Sequence, residues 1–420
     1  MLCIAAFGTR LRWAAASVFA CALTSGIAEA QSVAKPGSST NACKVVIEDD
    51  DDAKPVPGWK RFAWEEACVE ISGELTAIYQ KQKASASRIP LISTRQGSVT
   101  NASELTTFNP NIEIDTTRKT ALGDLKTTFN AEYNKTTTDH NNGVWTLSDA
   151  TVTWAGIKAG YTDSQMNFWD GDFQFTATAP QRTVGLAGYA FDLGKSWTLT
   201  LAYETGLPTS QVPGNKFITV HPDDPVGSAR LYYDADDVQF QLAGLVHQAR
   251  IEGTSALLTF LGRPTQFQKL GWAATAGLNA PVKWGKDGNA ISVQASYAVN
   301  ASPYLGTAAD LSSLASTIPV EVTTEGWSIV GSYHHVWSDH WESNVMASYL
   351  ALDISTPNFR PSVRTRRYAA NLIWSPVDAF KIGAELGYVE IELDPGGPLG
   401  LLRGTSGKGA IGYLYATWSF

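Results

Sequence analysis

The chain has 420 residues, of which 44% are hydrophobic and 17% charged, and its formal net charge is −8. An acidic balance without a basic face excludes nucleic acid as a partner, because that recognition rests on a cationic footprint. Beyond the N-terminus no stretch has the roughly 18 consecutive apolar residues of a helical span, so a membrane could be crossed only by strands.

Residues 1–30 read as a secretory leader. Arg10 and Arg12 form the basic start, Trp13 to Leu23 the apolar run, and Ala28-Glu29-Ala30 the small-x-small cleavage site. That run falls short of the roughly 20 residues a bilayer-spanning helix needs. With the leader go two arginines and one glutamate, so the mature chain, starting near Gln31, moves from −8 to −9. Two of the four cysteines leave as well. The remaining pair, Cys43 and Cys68, is expected to form one disulfide in an oxidising compartment. No histidine stands nearby, and no metal is expected.

Residues 31–67 form a short periplasmic segment with an acidic run, Glu48 to Asp52, followed by Pro55 and Pro57-Gly58. Such a run reads as a solvated stretch, and it lacks the spacing of a calcium loop. The segment is too short to plug a barrel.

From residue 68 onward, period-two alternation recurs. In one run Leu125, Phe129, Ala131 and Tyr133 oppose Asp124, Lys126, Thr128, Asn130 and Glu132; in another Ile382, Ala384, Leu386 and Tyr388 oppose Lys381 and Glu385. The alternation predicts strands at 68–81, 107–118, 123–134, 145–154, 157–163, 183–190, 197–205, 229–234, 237–248, 268–280, 289–300, 325–336, 340–350, 364–375, 379–392 and 408–420. The number is sixteen, and short links alternate with long ones. The last strand carries Trp418, Ala416, Leu414, Gly412 and Ala410 on one parity and ends on Phe420. An open aromatic strand at a terminus would invite aggregation, whereas a strand that closes a membrane barrel has its edge paired and its aromatics at the lipid interface. The predicted fold of residues 68–420 is therefore all-β, a closed antiparallel transmembrane barrel in the bacterial outer membrane, with lipid as its outer neighbour. An enzyme is not expected: none of the six histidines sits in a His-Glu-x-x-His helix or beside a Gly-x-Ser-x-Gly elbow, and the inward His247 and His334 read as wall residues. No cofactor is expected.

The ends of the barrel resemble the alphaproteobacterial porin family, the rhizobial type of general porin. The resemblance lies in Cys43, Pro57-Gly58, and Cys68-Val69-Glu70-Ile71-Ser72-Gly73. It continues in the run Arg364 to Pro376, which reads Arg-x-Arg-Arg-Tyr-Ala-Ala-Asn-Leu-Ile-Trp-Ser-Pro, then in Gly383 to Tyr388, and it ends at the terminal Phe420. The stretch between the cysteines is longer and more acidic than in that family. What the resemblance implies is a sixteen-stranded, trimeric, water-filled pore whose third outer loop folds inward as a constriction.

The third outer loop is then Ser164 to Arg182. It carries Asp170 and Asp172, with Asp163 adjacent, and Met166, Phe168, Trp169, Phe173 and Phe175 to pack against the inner wall; Gly171 would bend the chain so that both aspartates are presented. Parity makes Lys126, Lys158, Arg367 and Lys381 the inward basic residues, with Arg118 and Arg364 near strand ends. Acidic loop and basic wall would set a transverse field, although each cation could instead pair with an inward carboxylate such as Glu132 or Glu385. The expected function is passive diffusion of small hydrophilic solutes and ions through a homotrimer, with mild cation preference. A substrate-specific channel with a saturable site, using inner-face aromatics such as Tyr413 and Tyr415, is the alternative.

Overall fold

The computed structural model describes residues 43, 61–64, 66–84, 93–94, 97–98, 104–136, 143–205, 218–221, 226–235, 238–253, 266–284, 287–306, 323–355, 360–394, 396 and 405–420. The expected leader, the acidic run 48–52 and Pro57-Gly58 lie outside these residues.

Sixteen long strands carry the architecture: β1 Ala67–Ala84, β2 Glu104–Thr120, β3 Gly123–Thr136, β4 Val144–Trp154, β5 Ile157–Asp163, β6 Thr183–Gly194, β7 Trp197–Glu204, β8 Val226–Ala235, β9 Val238–Gly253, β10 Gln266–Pro281, β11 Ala290–Val299, β12 Thr323–Ser338, β13 Trp341–Ser355, β14 Ser362–Val377, β15 Phe380–Asp394 and β16 Thr405–Ser419. Each predicted strand is present. Where strands run longer than predicted, as β1 and β9 do, they mostly grow toward the long links. There water bathes both faces and the alternation that marks a lipid boundary is absent.

Neighbours pair antiparallel in chain order, for example β9 with β10 from Gln239↔Asn279 to Glu252↔Gln266. The ring is closed by β1 against β16, from Glu74↔Ser419 to Ala84↔Gly409. Phe420 completes this seam. Its N–H donates to the Gly73 carbonyl at 2.9 Å and its carbonyl accepts from the Gly73 N–H at 3.1 Å. A Cβ on Gly73 would stand 2.6 Å from the Phe420 ring, so only glycine leaves room for the terminal side chain.

Alternation sorts the two faces. Leu386 and Leu414 are 73% and 59% exposed on the outside, while their neighbours Glu385 and Tyr413 are 2% and 3% exposed within. Such an outer face is stable only in hydrocarbon. Aromatic pairs gather at both ends of the apolar band. Near the short links stand Trp197 with Tyr233, Trp341 with Trp374, and Trp418 with Phe420, at centroid distances of 4.9, 6.1 and 5.5 Å. Near the long links stand Trp272 with Tyr297 and Trp327 with Tyr349, at 5.4 and 5.0 Å.

The chain divides into two units. The larger comprises Glu70–Thr116 and Thr120–Phe420 and holds the barrel; the smaller comprises Met1–Val69 and Thr117–Lys119. Within the smaller, Cys43 and Cys68 are disulfide-bonded with their Cα atoms 4.6 Å apart, Arg61–Trp64 is a short strand, and Arg118 pairs with Glu66.

Candidate functional site

The segment Ser164–Arg182 leaves β5 and returns to β6 without regular structure, yet Met166, Trp169, Phe173 and Phe175 in it are among the most buried side chains of the protein. Its base is tied shut. Ser164 N–H donates to the Arg182 carbonyl at 2.9 Å, and Asn167 and Arg182 exchange two bonds of 3.0 Å each. Glu204 of β7, fully buried, accepts from Ser164 Oγ at 2.8 Å and from the Gln165 N–H at 2.9 Å.

Beyond the base, backbone groups meet side chains from strand after strand. Gln241 on β9 donates to the carbonyls of Gln165 and Asn167 at 3.1 and 3.2 Å. Gln294 on β11 donates to the Met166 carbonyl at 2.8 Å and accepts from the Trp169 N–H at 2.9 Å. Trp169 Nε1 reaches Ser332 on β12 at 3.1 Å. On the farther strands Asn371 donates to the Asp172 carbonyl at 2.6 Å, Arg367 to the Thr176 carbonyl at 2.8 Å, and Ser348 accepts from the Thr178 N–H at 3.0 Å. Glu385 on β15 accepts from the N–H groups of Gln174 and Phe175 at 2.9 and 2.7 Å. Irregular backbone removed from bulk water requires partners of this kind. In a ring of sixteen, β14 and β15 stand about half a circuit from β5 and β6, so these bonds carry the segment from one side of the barrel interior to the other.

Its apolar side chains pack as its backbone bonds. Trp169, Phe173, Phe175, Ala177 and Ala179 join Ile78, Val330, Met346, Ala369, Ile373, Val389, Ile391, Ile411, Tyr413 and Tyr415 in one cluster. Trp169 and Phe173 stack at 6.1 Å. Gly171 lies between them, where a Cβ would come 2.4 Å from the Trp169 ring. Close approach, more than a bend, is what this position demands. A second inward piece, the 3-10 turn Ser302–Leu305, buries Tyr304 and Leu305 beside Met166. The Arg182 guanidinium sits over the Tyr304 ring at 5.2 Å, and burial pushes the Tyr304 hydroxyl up to about 12, so it stays neutral.

The charged residues singled out from sequence fall into distinct environments. Asp170 is exposed at the middle of the segment, and Asp172 beside it lies 3.6 Å from Lys381 Nζ. Lys381 also holds Glu342 at 3.2 Å, and Glu342 lies 4.0 Å from His334. Arg367 is on the inner face but only 6% exposed, its guanidinium 5.6 Å from the Phe175 ring centre. Asp163 closes β5 opposite Thr183, within electrostatic reach of Asp149, Lys158 and Asp170. Lys126 is exposed on β3 beside Thr153 of β4, and Lys158 donates to Thr162 at 3.2 Å, which in turn donates to Asp149 at 2.6 Å. Arg230 on β8, over the Tyr232 ring at 4.9 Å, belongs to the same side of the barrel and was not found by motif or spacing. Tyr413 and Tyr415, considered as lumen aromatics, lie beneath the segment at 3% and 5% exposure and cannot meet a solute.

A closed antiparallel barrel of sixteen strands, apolar outside, girdled by aromatics and polar within, defines a channel of the bacterial outer membrane. The chain belongs to the porin family: the family described as the Porin subfamily matches residues 65–395. It is thus a passive-diffusion channel and not an enzyme. Among solved structures, the outer membrane channel DcaP of Acinetobacter baumannii is similar with a TM-score of 0.64 and 16% identity, over 84% of this chain and 97% of that one. OmpT of Vibrio cholerae aligns with a TM-score of 0.49 and 11% identity, over 86% of this chain and 100% of that one. A search of the curated proteins finds no match.

Proposed function

We propose that the protein is a general diffusion pore for small hydrophilic solutes and ions, with Ser164–Arg182 as the constriction that sets its size limit. The observation that carries this reading is the series of inward side chains, from Glu204 to Glu385, that hold the segment across the interior. Solutes then pass between Asp170 and Asp172 on the segment and Lys126 and Lys158 on the facing wall. Opposed charges of this kind orient dipolar solutes and weight ion entry. The covered state of Tyr413 and Tyr415 supports a general pore over a saturable aromatic site.

The family resemblance further supports a homotrimer of the rhizobial type, and the basic, apolar and small-x-small pattern of residues 1–30 supports an export leader ahead of a periplasmic segment at 31–67 and the barrel at 68–420. Planar-bilayer recording tests the functional reading: flux linear in solute concentration supports it, and saturation at millimolar solute refutes it. Ion preference gives a sharper test. Asp170→Asn with Asp172→Asn should shift the reversal potential in a salt gradient toward anions. Lys381→Gln, which releases Asp172 and Glu342 from their shared cation, should shift it toward cations. Equal reversal potentials in all three proteins would show that ions do not pass this segment.

A further inference from the structure

Outward-facing charge is rare on a membrane barrel, because an arginine or lysine on the lipid face costs roughly 2–4 kcal/mol at mid-bilayer and little at the interface. This barrel nonetheless has a row of such residues. Arg366, Glu390 and Lys408 are Cα partners across β14, β15 and β16, on the parity that also carries the exposed Tyr368, Leu386 and Leu414. The row stands two residues beyond the stacked Tyr368–Tyr388 pair, toward the long links. Long links face outward in such barrels, so this is the headgroup level of the outer leaflet.

The row is organised, not scattered. Arg366 contacts Glu392 at 2.8 Å and Glu390 at 3.6 Å, and Lys408 contacts Glu390 at 2.8 Å. The Tyr388 hydroxyl donates to Glu390 at 3.0 Å, and the Tyr349 ring backs the Arg366 guanidinium at 5.8 Å. Arg364 with Asp353, at 2.7 Å, extends the row on one side; Lys81 with Glu104, at 2.7 Å, extends it on the other. Solvent-exposed pairs of this kind contribute little stability by themselves. What they do is hold four cations in place along six adjacent strands, β13 to β16 and on to β1 and β2, with a ring-backed guanidinium whose fork matches a phosphate.

We propose that this row binds the phosphate of an outer-leaflet lipid, Arg366 and Lys408 supplying the cationic contacts while Glu390 and Glu392 position them and compete with the phosphate. The outward face meets lipid, and a phosphorylated headgroup is the anion found at that depth. A lipid held here is seated against β14–β16 with its chains along the exposed Leu386 and Leu414.

The test uses the full chain in detergent, with a chelator present, probed by native mass spectrometry with bis-phosphorylated lipid A and with the same lipid after dephosphorylation. The phosphorylated form should be retained and the dephosphorylated form lost. Arg366→Gln with Lys408→Gln should lower retention roughly tenfold. Glu392→Gln removes a competitor and should raise retention, a change of opposite sign that misfolding cannot imitate. Equal retention of both lipids, or a decrease in all variants, overturns the proposal. Complete displacement by inorganic phosphate would show a site for the free anion instead, and loss of oligomers in place of lipid would show that a second copy of the chain covers the row.

Discussion

Removing Phe168–Phe175 should raise single-channel conductance by roughly two- to threefold while leaving the barrel assembled. The segment contributes nothing to the strand ladder, which closes through β1 and β16 without it. Its loss would uncover Gln294, Asn371 and Glu385, and water can satisfy each of them. It would also wet Val330, Ile373, Val389 and Ile411, whose burial against the segment stabilises the wall from within. A lower melting temperature should therefore accompany the wider pore. A milder change separates anchoring from occupancy. In Glu385→Ala the N–H groups of Gln174 and Phe175 lose their acceptor, which costs about 1–3 kcal/mol for each group left unsatisfied. The expected result is a noisier current of larger mean amplitude. If the deletion leaves conductance unaltered, the solute path does not run past this segment and the constriction role is wrong.

The second large effect concerns the seam. Chains lacking Phe420 should reach the outer membrane in folded form at about one-tenth of the normal level. Two backbone hydrogen bonds to Gly73 disappear, each contributing about 0.5–1.5 kcal/mol, and a sum near 1.4 kcal/mol is already tenfold in an equilibrium. The Trp418–Phe420 contact at the interface goes with them. Gly73→Val attacks the same joint from the opposite strand, because its side chain would occupy the space of the Phe420 ring. Both variants should give less heat-resistant folded protein and unchanged conductance in the channels that do insert. Normal insertion of the truncated chain would remove the terminal residue from the assembly step.

Most of the barrel was legible because lipid on one face and polar groups on the other impose a period of two that any local window of sequence carries. The inner segment was legible only in part. Aromatics crowded around Asp170 and Asp172 pointed to it, but its anchors were hidden, since Gln241, Gln294, Asn371 and Glu385 look the same whether they line water or hold backbone. Arg367 shows the difficulty most plainly. Parity puts it on the inner face, and only the position of Thr176 and Phe175, distant in sequence, covers it. One signal was present and unread. Leu350, Leu352, Ile354, Val363, Val389, Ile391 and Ile411 are apolar on the inward parity at the outer ends of their strands. An inner wall that turns apolar implies something apolar packed against it, here Phe175, Leu305 and their neighbours.

The side chains that hold Ser164–Arg182 come from β7, β9 and β11 through β15, and among the described residues none comes from β2, β3 or β4. Mechanically, the segment is a cross-brace fastened along one arc of a ring. Deforming the braced arc stretches a dozen bonds at once, while among the described residues the β2–β4 arc makes no hydrogen bond to the segment. With Ser164–Arg182 as the proposed constriction, a solute slightly too wide for the passage should be accommodated by the wall of β2–β4, where Lys126 stands, and the stiffness of that wall should bear on the pore's effective size as much as the loop opposite it.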